Sequence, residues 1–217
     1  MKLDWNPTTH YQDVAVAERY DRERFSSLPG RVFNALEKRE LCRAFASVPR
    51  SSTVLDVPCG TGRLAEALLD AGYRVVGADI AAPMLEVARR KLARFGDRFE
   101  TRVADVRELA EREPGTYDVA LCARVLMHFP LDEQITFLRA VARLAKGTVV
   151  FSQSLSTPYQ RGRRQVKKAL GHQAPAGFPI TENELQALLA GAGLREVARH
   201  RLNSLISEAM FVVAEHR

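Results

Sequence analysis

The run Val54-Leu55-Asp56-Val57-Pro58-Cys59-Gly60-Thr61-Gly62 constrains this 217-residue chain more than any other stretch. A short apolar, β-rich run ends in an acid and breaks into a tight Gly-bearing loop. Helical spacing then begins at Arg63. A strand that turns sharply into a helix opens a strand–helix–strand unit. In an open α/β sheet, ligands bind outside the carboxyl ends of the strands. The loop therefore points both to an α/β fold and to a nucleotide-like ligand.

The chain downstream repeats the unit. Strands are read at Thr53–Asp56, Arg74–Asp79, Phe99–Val103, Tyr117–Cys122, Gly147–Ser152, Leu194–Arg201 and Ala209–Ala214. Helices are read at Gly62–Ala71, Ala82–Phe95, Asp132–Ala145 and Thr181–Ala192, with a short one after Asp105. Gly72 stops the first helix, Pro83 sits in the first turn of the second, and Thr181 with Glu184 spells a capping box. Near-continuous apolar strands such as Tyr117–Cys122 imply a parallel sheet covered on both faces. The last two strands lack a crossover helix, so they are expected to form an antiparallel hairpin. The first fifty residues read as helical, roughly Val14–Arg24 and Arg31–Ala46, without a core of their own. They are expected to cap the crevice of a single domain, 1–217, whose core is 51–217.

Three acids stand at the ligand edge, one after each of the first three strands: Asp56, Asp79 and Asp105. Together they would repel a pyrophosphate. A P-loop is excluded because Gly-x-x-x-x-Gly-Lys-Ser/Thr is absent. A dinucleotide site is the competitor, since Gly60-Thr61-Gly62-Arg63-Leu64-Ala65 fits G-x-G-x-x-A and Asp79 lies 17 residues beyond Gly62. That fingerprint is weak alone, and Asp56 and Asp105 count against it. A ligand with a cationic centre, an ammonium group, a ribose and an adenine suits the acids better. Asp79 would accept from both ribose hydroxyls, Asp105 from the adenine amino group, and Asp56 would face the ammonium end.

Val54–Leu68, Val76–Leu85, Ala104-Asp105-Val106 and Tyr117–Pro130 resemble, in order, the successive motifs of class I S-adenosylmethionine-dependent methyltransferases. The resemblance extends over about residues 50–215. It implies a Rossmann-like three-layer α/β sandwich with a seven-stranded, mostly parallel sheet whose last strand is antiparallel. It also implies S-adenosyl-L-methionine as cofactor, held by Gly60, Gly62, Asp79 and Asp105 with neighbours that include Asp56, Cys59, Ile80, Met84, Val106 and Cys122. Val16-Ala17-Glu18-Arg19-Tyr20-Asp21 is similar to the start of the ubiquinone/menaquinone-biosynthesis type of small-molecule methyltransferase. One departure stands out: Pro58 replaces the usual glycine and removes a backbone donor.

His128, in Leu126-Met127-His128-Phe129-Pro130, follows strand four. It is read as a general base for a hydroxyl or amine nucleophile, or else as a residue that positions the substrate. Arg31 is a candidate fork for the cofactor carboxylate. Tyr20 and Tyr11 are candidates to close over the methionine part or the acceptor. The net charge is +6, and residues 134–181 contain no acid while carrying Arg139, Arg143, Lys146, Arg161, Arg163, Arg164, Lys167 and Lys168. With Tyr159 nearby, the 161–168 segment suits an anionic acceptor or an anionic lipid surface, or a solvated face. No aromatic-interleaved basic platform points to nucleic acid.

Three scattered cysteines (Cys42, Cys59, Cys122) make neither a disulfide framework nor a metal pattern. No apolar run approaches the ~18–20 residues that span a bilayer, and the N-terminus lacks the apolar segment of a signal peptide. The expected setting is the cytoplasm, as a monomer or homodimer. The expected function is methyl transfer to an O or N nucleophile of a small-molecule or lipid-like acceptor. The alternatives are an NAD(P)-dependent oxidoreductase and a catalytically silent cofactor-binding partner subunit.

Overall fold

The structure is a computed structural model, and it describes residues 12–156, 162, 165, 178–202 and 209–217. Its strands are β1 (Thr53–Asp56), β2 (Arg74–Asp79), β3 (Phe99–Val103), β4 (Tyr117–Cys122), β5 (Ala145–Ser154), β6 (Leu194–Arg201) and β7 (Ala209–His216). They form one seven-stranded sheet in the order β3-β2-β1-β4-β5-β7-β6. Pairing is parallel from β3 across to β5, and β7 runs antiparallel to both β5 and β6. The expected strand bounds hold at β1 to β4 and β6; β5 and β7 run longer than their apolar runs.

Alternation along each strand divides the core into two layers. Leu55, Val76, Ala120, Val149 and Val212 face the helices α5 (Val106–Arg112), α6 (Leu131–Leu144) and α7 (Glu182–Gly191). Val54, Val75, Val119, Leu121 and Val150 face α2 (Leu28–Ala44), α3 (Arg63–Asp70) and α4 (Ala82–Leu92). Leu55 is wholly buried, and truncating such a residue to Ala costs about 2–5 kcal/mol. The capping box before α7 is complete. Glu184 N–H donates to Thr181 Oγ1 (3.3 Å), and Thr181 N–H donates to Glu184 Oε2 (2.7 Å).

The two N-terminal helices take different places. In α2, Leu41 and Ala44, with Phe45 just beyond, are buried in the sheet's core, and Tyr73 Oη donates to the Phe45 and Val48 carbonyls (2.9 and 3.0 Å). This helix is part of a structural layer. Only α1 (Val14–Phe25) lies out toward the ligand edge, where Ala17 packs with Ala81 and Met84 in a small separate cluster.

Candidate active site

The loop after β1 is stitched into its neighbours on both sides. Val57 N–H donates to the Leu121 carbonyl (2.9 Å) and Cys59 N–H to that of Ala78 (2.8 Å), which extends the parallel ladder past β1. These two donors flank Pro58, so the missing proline N–H leaves no tie undone. The Val57–Pro58 peptide bond is cis. A side chain at Gly77 would meet Cys59 Sγ at 2.6 Å, so β2 is bare where the loop crosses it. Gly60 N–H then donates to Asp79 Oδ2 (2.8 Å), while Ala81 N–H donates to Asp79 Oδ1 (2.9 Å). Asp79 is thereby fixed at the end of β2 by backbone donors on both of its oxygens.

One cavity of about 460 Å³ opens at this edge. Asp56, Cys59, Gly60, Asp79, Ile80 and Met84 line it, as do Asp105 and Val106 from the start of α5, Tyr20 from α1, and His128. The acids differ in setting. Asp56 is almost wholly buried, and among the described residues its Oδ2 accepts no hydrogen bond. Burial, with the neighbouring Asp79 charge, pushes its carboxyl up to about 7, although a hydrogen bond with Cys59 opposes the shift. Asp79 is also raised by burial, against the pull of its backbone donors. Asp105 is half-buried and caps α5 by accepting from Arg107 N–H (2.8 Å).

Three sequence candidates lie elsewhere. Gly62 serves packing: at φ 72° it starts α3, and a Cβ there would meet Leu92 Cδ1 at 2.6 Å. Cys122 points into the core beneath α5 and α6, where burial holds its thiol well above the usual range. Arg31 is exposed on the first turn of α2 and does not line the cavity. Tyr11, Tyr159, Arg161, Arg163, Arg164, Lys167 and Lys168 lie outside the described residues.

Comparison with known families matches residues 54–147 to a methyltransferase domain. Residues 54–147 thus carry a class I S-adenosylmethionine-dependent methyltransferase domain. It is 41% identical over 104 residues to the ubiquinone biosynthesis O-methyltransferase of Bordetella parapertussis, covering 48% of this chain and 42% of that protein. To its counterpart in Bordetella avium it is 36% identical over 140 residues, covering 64% and 57%. The matched stretch thus spans about half the length of these curated relatives. Among solved structures, the magnesium protoporphyrin IX methyltransferase of Synechocystis PCC 6803 with bound S-adenosylhomocysteine superposes with a TM-score of 0.78 at 18% identity, covering 97% of this chain and 98% of that one. The 1,6-didemethyltoxoflavin-N1-methyltransferase of Burkholderia thailandensis gives 0.69 at 21% identity, covering 100% and 93%. At such identities the likeness shows the fold.

The cavity and its surroundings also gather residues that the sequence motifs did not mark. Arg63 and Arg124 line the cavity and share one buried carboxylate, Glu37 of α2: Arg63 Nη2 lies 2.5 Å from Oε2 and Arg124 Nη1 3.4 Å from Oε1. Arg63 also donates to Asn34 Oδ1 (2.7 Å) and stacks 4.5 Å over the Phe25 ring. His128, half-buried on the same wall, is held below the usual imidazole range first by burial and then by the charges of Arg24 and Arg124. Helix α1 is strapped over the loop. Thr61 Oγ1 donates to Asp21 Oδ1 (2.8 Å), Lys91 pairs with Asp21 (3.0 Å), Arg90 pairs with Glu18, and Gln12 Nε2 donates to the Ile80 carbonyl (3.0 Å). Among the described residues no group of three or more His, Cys, Asp or Glu is placed to hold a metal, and no helix is long and apolar enough to cross a membrane.

Proposed function

We propose that this chain transfers a methyl group from S-adenosyl-L-methionine to an oxygen or nitrogen nucleophile on a small-molecule or lipid-like acceptor. The observation that carries the reading is Asp56 Oδ2, a buried acceptor with no donor among the described residues, in the same cavity as the anchored Asp79 and the cap Asp105. Three carboxylates at the mouth of the glycine loop suit a cationic adenosyl ligand and repel a dinucleotide's pyrophosphate. Arg63, the cation beside the loop, is already engaged by Glu37.

In this reading Asp79 accepts from the ribose hydroxyls, Asp105 stands at the adenine amino group, and Asp56 takes the ammonium. Ile80, Met84 and Val106 supply apolar contact, and Tyr20 closes from α1. When bound, the cofactor supplies an electrophilic methyl carbon on a sulfonium centre. The work left to the chain is alignment and exclusion of water, the larger part of such a rate enhancement. Burial and the charges of Arg24 and Arg124 favour the neutral imidazole of His128, the form that can take the proton a hydroxyl nucleophile gives up as it forms its new bond. The names of the O- and N-methylating proteins above support a small acceptor. The N-terminal cap reduces to α1 in a single domain spanning 1–217.

Thermal denaturation with S-adenosylhomocysteine, and separately with NAD(H) and NADP(H), tests the cofactor. Stabilisation by the first alone is expected. Stabilisation by a dinucleotide instead would make the chain an oxidoreductase. Loss of tritiated methyl from S-adenosylmethionine to a panel of phenols and amines tests transfer; no product from any member would favour a silent binding subunit.

A further inference from the structure

The cavity is polarised. Asp56, Asp79 and Asp105 follow β1, β2 and β3, on one side of the point where the strand order reverses; Arg63, tied to Glu37, and the exposed Arg107 line that side with them. After β4, on the other side, the wall is built by Arg124 and His128. Among the described residues Arg124 is the only non-glycine with a positive φ, 61°. That conformation costs an L-residue about 1–2 kcal/mol. Such strain persists only where the surroundings enforce it, and it gathers at ligand-binding positions.

The surroundings do enforce it. Arg124 N–H donates to Ser152 Oγ (2.7 Å), its Nη1 faces Glu37, and its guanidinium stands 5.4 Å over the Phe33 ring. Among the described residues its buried Nε–H donates to nothing. Glu37 is one carboxylate shared between two guanidiniums, so the pair keeps a net positive charge. Arg24 adds to the positive potential at His128. Glu133 also lines the cavity, from the exposed first turn of α6.

We propose that Arg124 reads the acceptor: it seats a carboxylate that the acceptor carries near its nucleophilic hydroxyl, with that hydroxyl directed to His128. The inference rests on the methyl-transfer reading and narrows its substrate class to hydroxy acids. A planar guanidinium matches a carboxylate in charge and in fork geometry. The three acids on the other side keep the same carboxylate from binding in reverse.

The test uses the full chain saturated with S-adenosylhomocysteine. The probes are 2-hydroxybenzoate, 4-hydroxybenzoate and 3,4-dihydroxybenzoate, each beside its methyl ester, with affinity read by calorimetry. At least one acid is expected to bind at least tenfold more tightly than its ester. Arg124→Gln should remove that preference while S-adenosylhomocysteine affinity stays within threefold. Equal binding of acids and esters, or no binding by any acid, overturns the assignment. So does a loss of S-adenosylhomocysteine affinity in Arg124→Gln that 5′-methylthioadenosine, which lacks the amino-acid part, does not share; Arg124 would then read the cofactor. Should Arg124→Gln fail to fold, Arg124→Lys keeps the charge and loses the fork. Its acid binding should fall threefold or more with ester binding unchanged, and unaltered acid binding refutes the proposal. If S-adenosylhomocysteine does not bind the wild-type chain, the methyl-transfer reading itself has failed, an outcome distinct from all of these.

Discussion

Asp79 accepts backbone donors on both oxygens, which fixes the carboxylate before any ligand arrives. Hydrogen bonds to a charged group are each worth about 1.5–3 kcal/mol. Asp79→Ala removes two of these from the ribose and frees the Gly60 loop, so S-adenosylhomocysteine affinity should fall by roughly 10²-fold or more. An unchanged melting shift with that ligand would refute the pose. Asp56 behaves differently because burial raises its carboxyl to about 7. The native chain holds this proton over a window in which the unfolded chain, near 3.8, has lost it. The group's contribution to stability is therefore full below the unfolded value and declines as pH rises through about 7. Pairing with an ammonium requires the ionised form, so ligand binding below about pH 7 should release a proton. Calorimetry at pH 6 in buffers of different ionisation enthalpy should show it, and Asp56→Asn should abolish it. A binding heat independent of buffer would sink the idea. The acids were legible because each follows an apolar strand. Arg63, Arg124 and Glu37 were not, because Glu37 meets partners 26 and 87 residues away, a relation that only packing creates.

Helix α1 touches the fold through α2, α4 and the loop, by a small apolar cluster and a row of polar ties that are exposed at Arg90–Glu18 and half-buried at Asp21. Exposed ion pairs contribute about 0.2–1 kcal/mol each and are screened by salt. An element held this way can open to admit ligand without unfolding the sheet. Removing two ties with Arg90→Ala and Lys91→Ala should raise the S-adenosylhomocysteine dissociation rate roughly three- to tenfold. Stopped-flow displacement measures it, and an unchanged rate would mean that α1 does not gate exit. At the loop's far end, Gly62→Ala imposes a left-handed φ on alanine and drives a methyl into Leu92. The expected loss is about 1–3 kcal/mol in urea denaturation, with cavity-lining residues untouched. The motif that marks Gly62 does not disclose its packing against Leu92, a residue 30 positions away. The same reading treated both N-terminal helices as cap. The burial of Leu41 and Phe45 beside Tyr73 places α2 in a sheet layer, a contact that periodicity within 28–44 could not reveal.

The sheet order places β2 on one side of β1 and β4 on the other, so their following loops part and leave the crevice between them. Strand limits and parallel order followed from the alternating units. The wall after β4 did not, because Arg124 is held there by Glu37 of α2 and His128 feels the charge of Arg24 of α1. The crevice thus draws its walls from both halves of the sheet, while β6 and β7 form the distal edge. A ligand that binds only the assembled site suppresses every local opening that dismantles it, by a factor of 1 + [L]/Kd. Segments 57–62, 79–84, 104–107 and 123–129, with α1, should therefore exchange amide hydrogens about 100-fold more slowly at 100 Kd of S-adenosylhomocysteine. Openings confined to the β6–β7 hairpin leave the crevice intact, so their exchange should not change. Hydrogen exchange read by mass spectrometry separates the cases. Protection of one wall alone would place the ligand outside the crevice. Protection centred on β6 and β7 would mean that the ligand reports on the distal edge instead, since only an opening that breaks the site can be closed by what binds there.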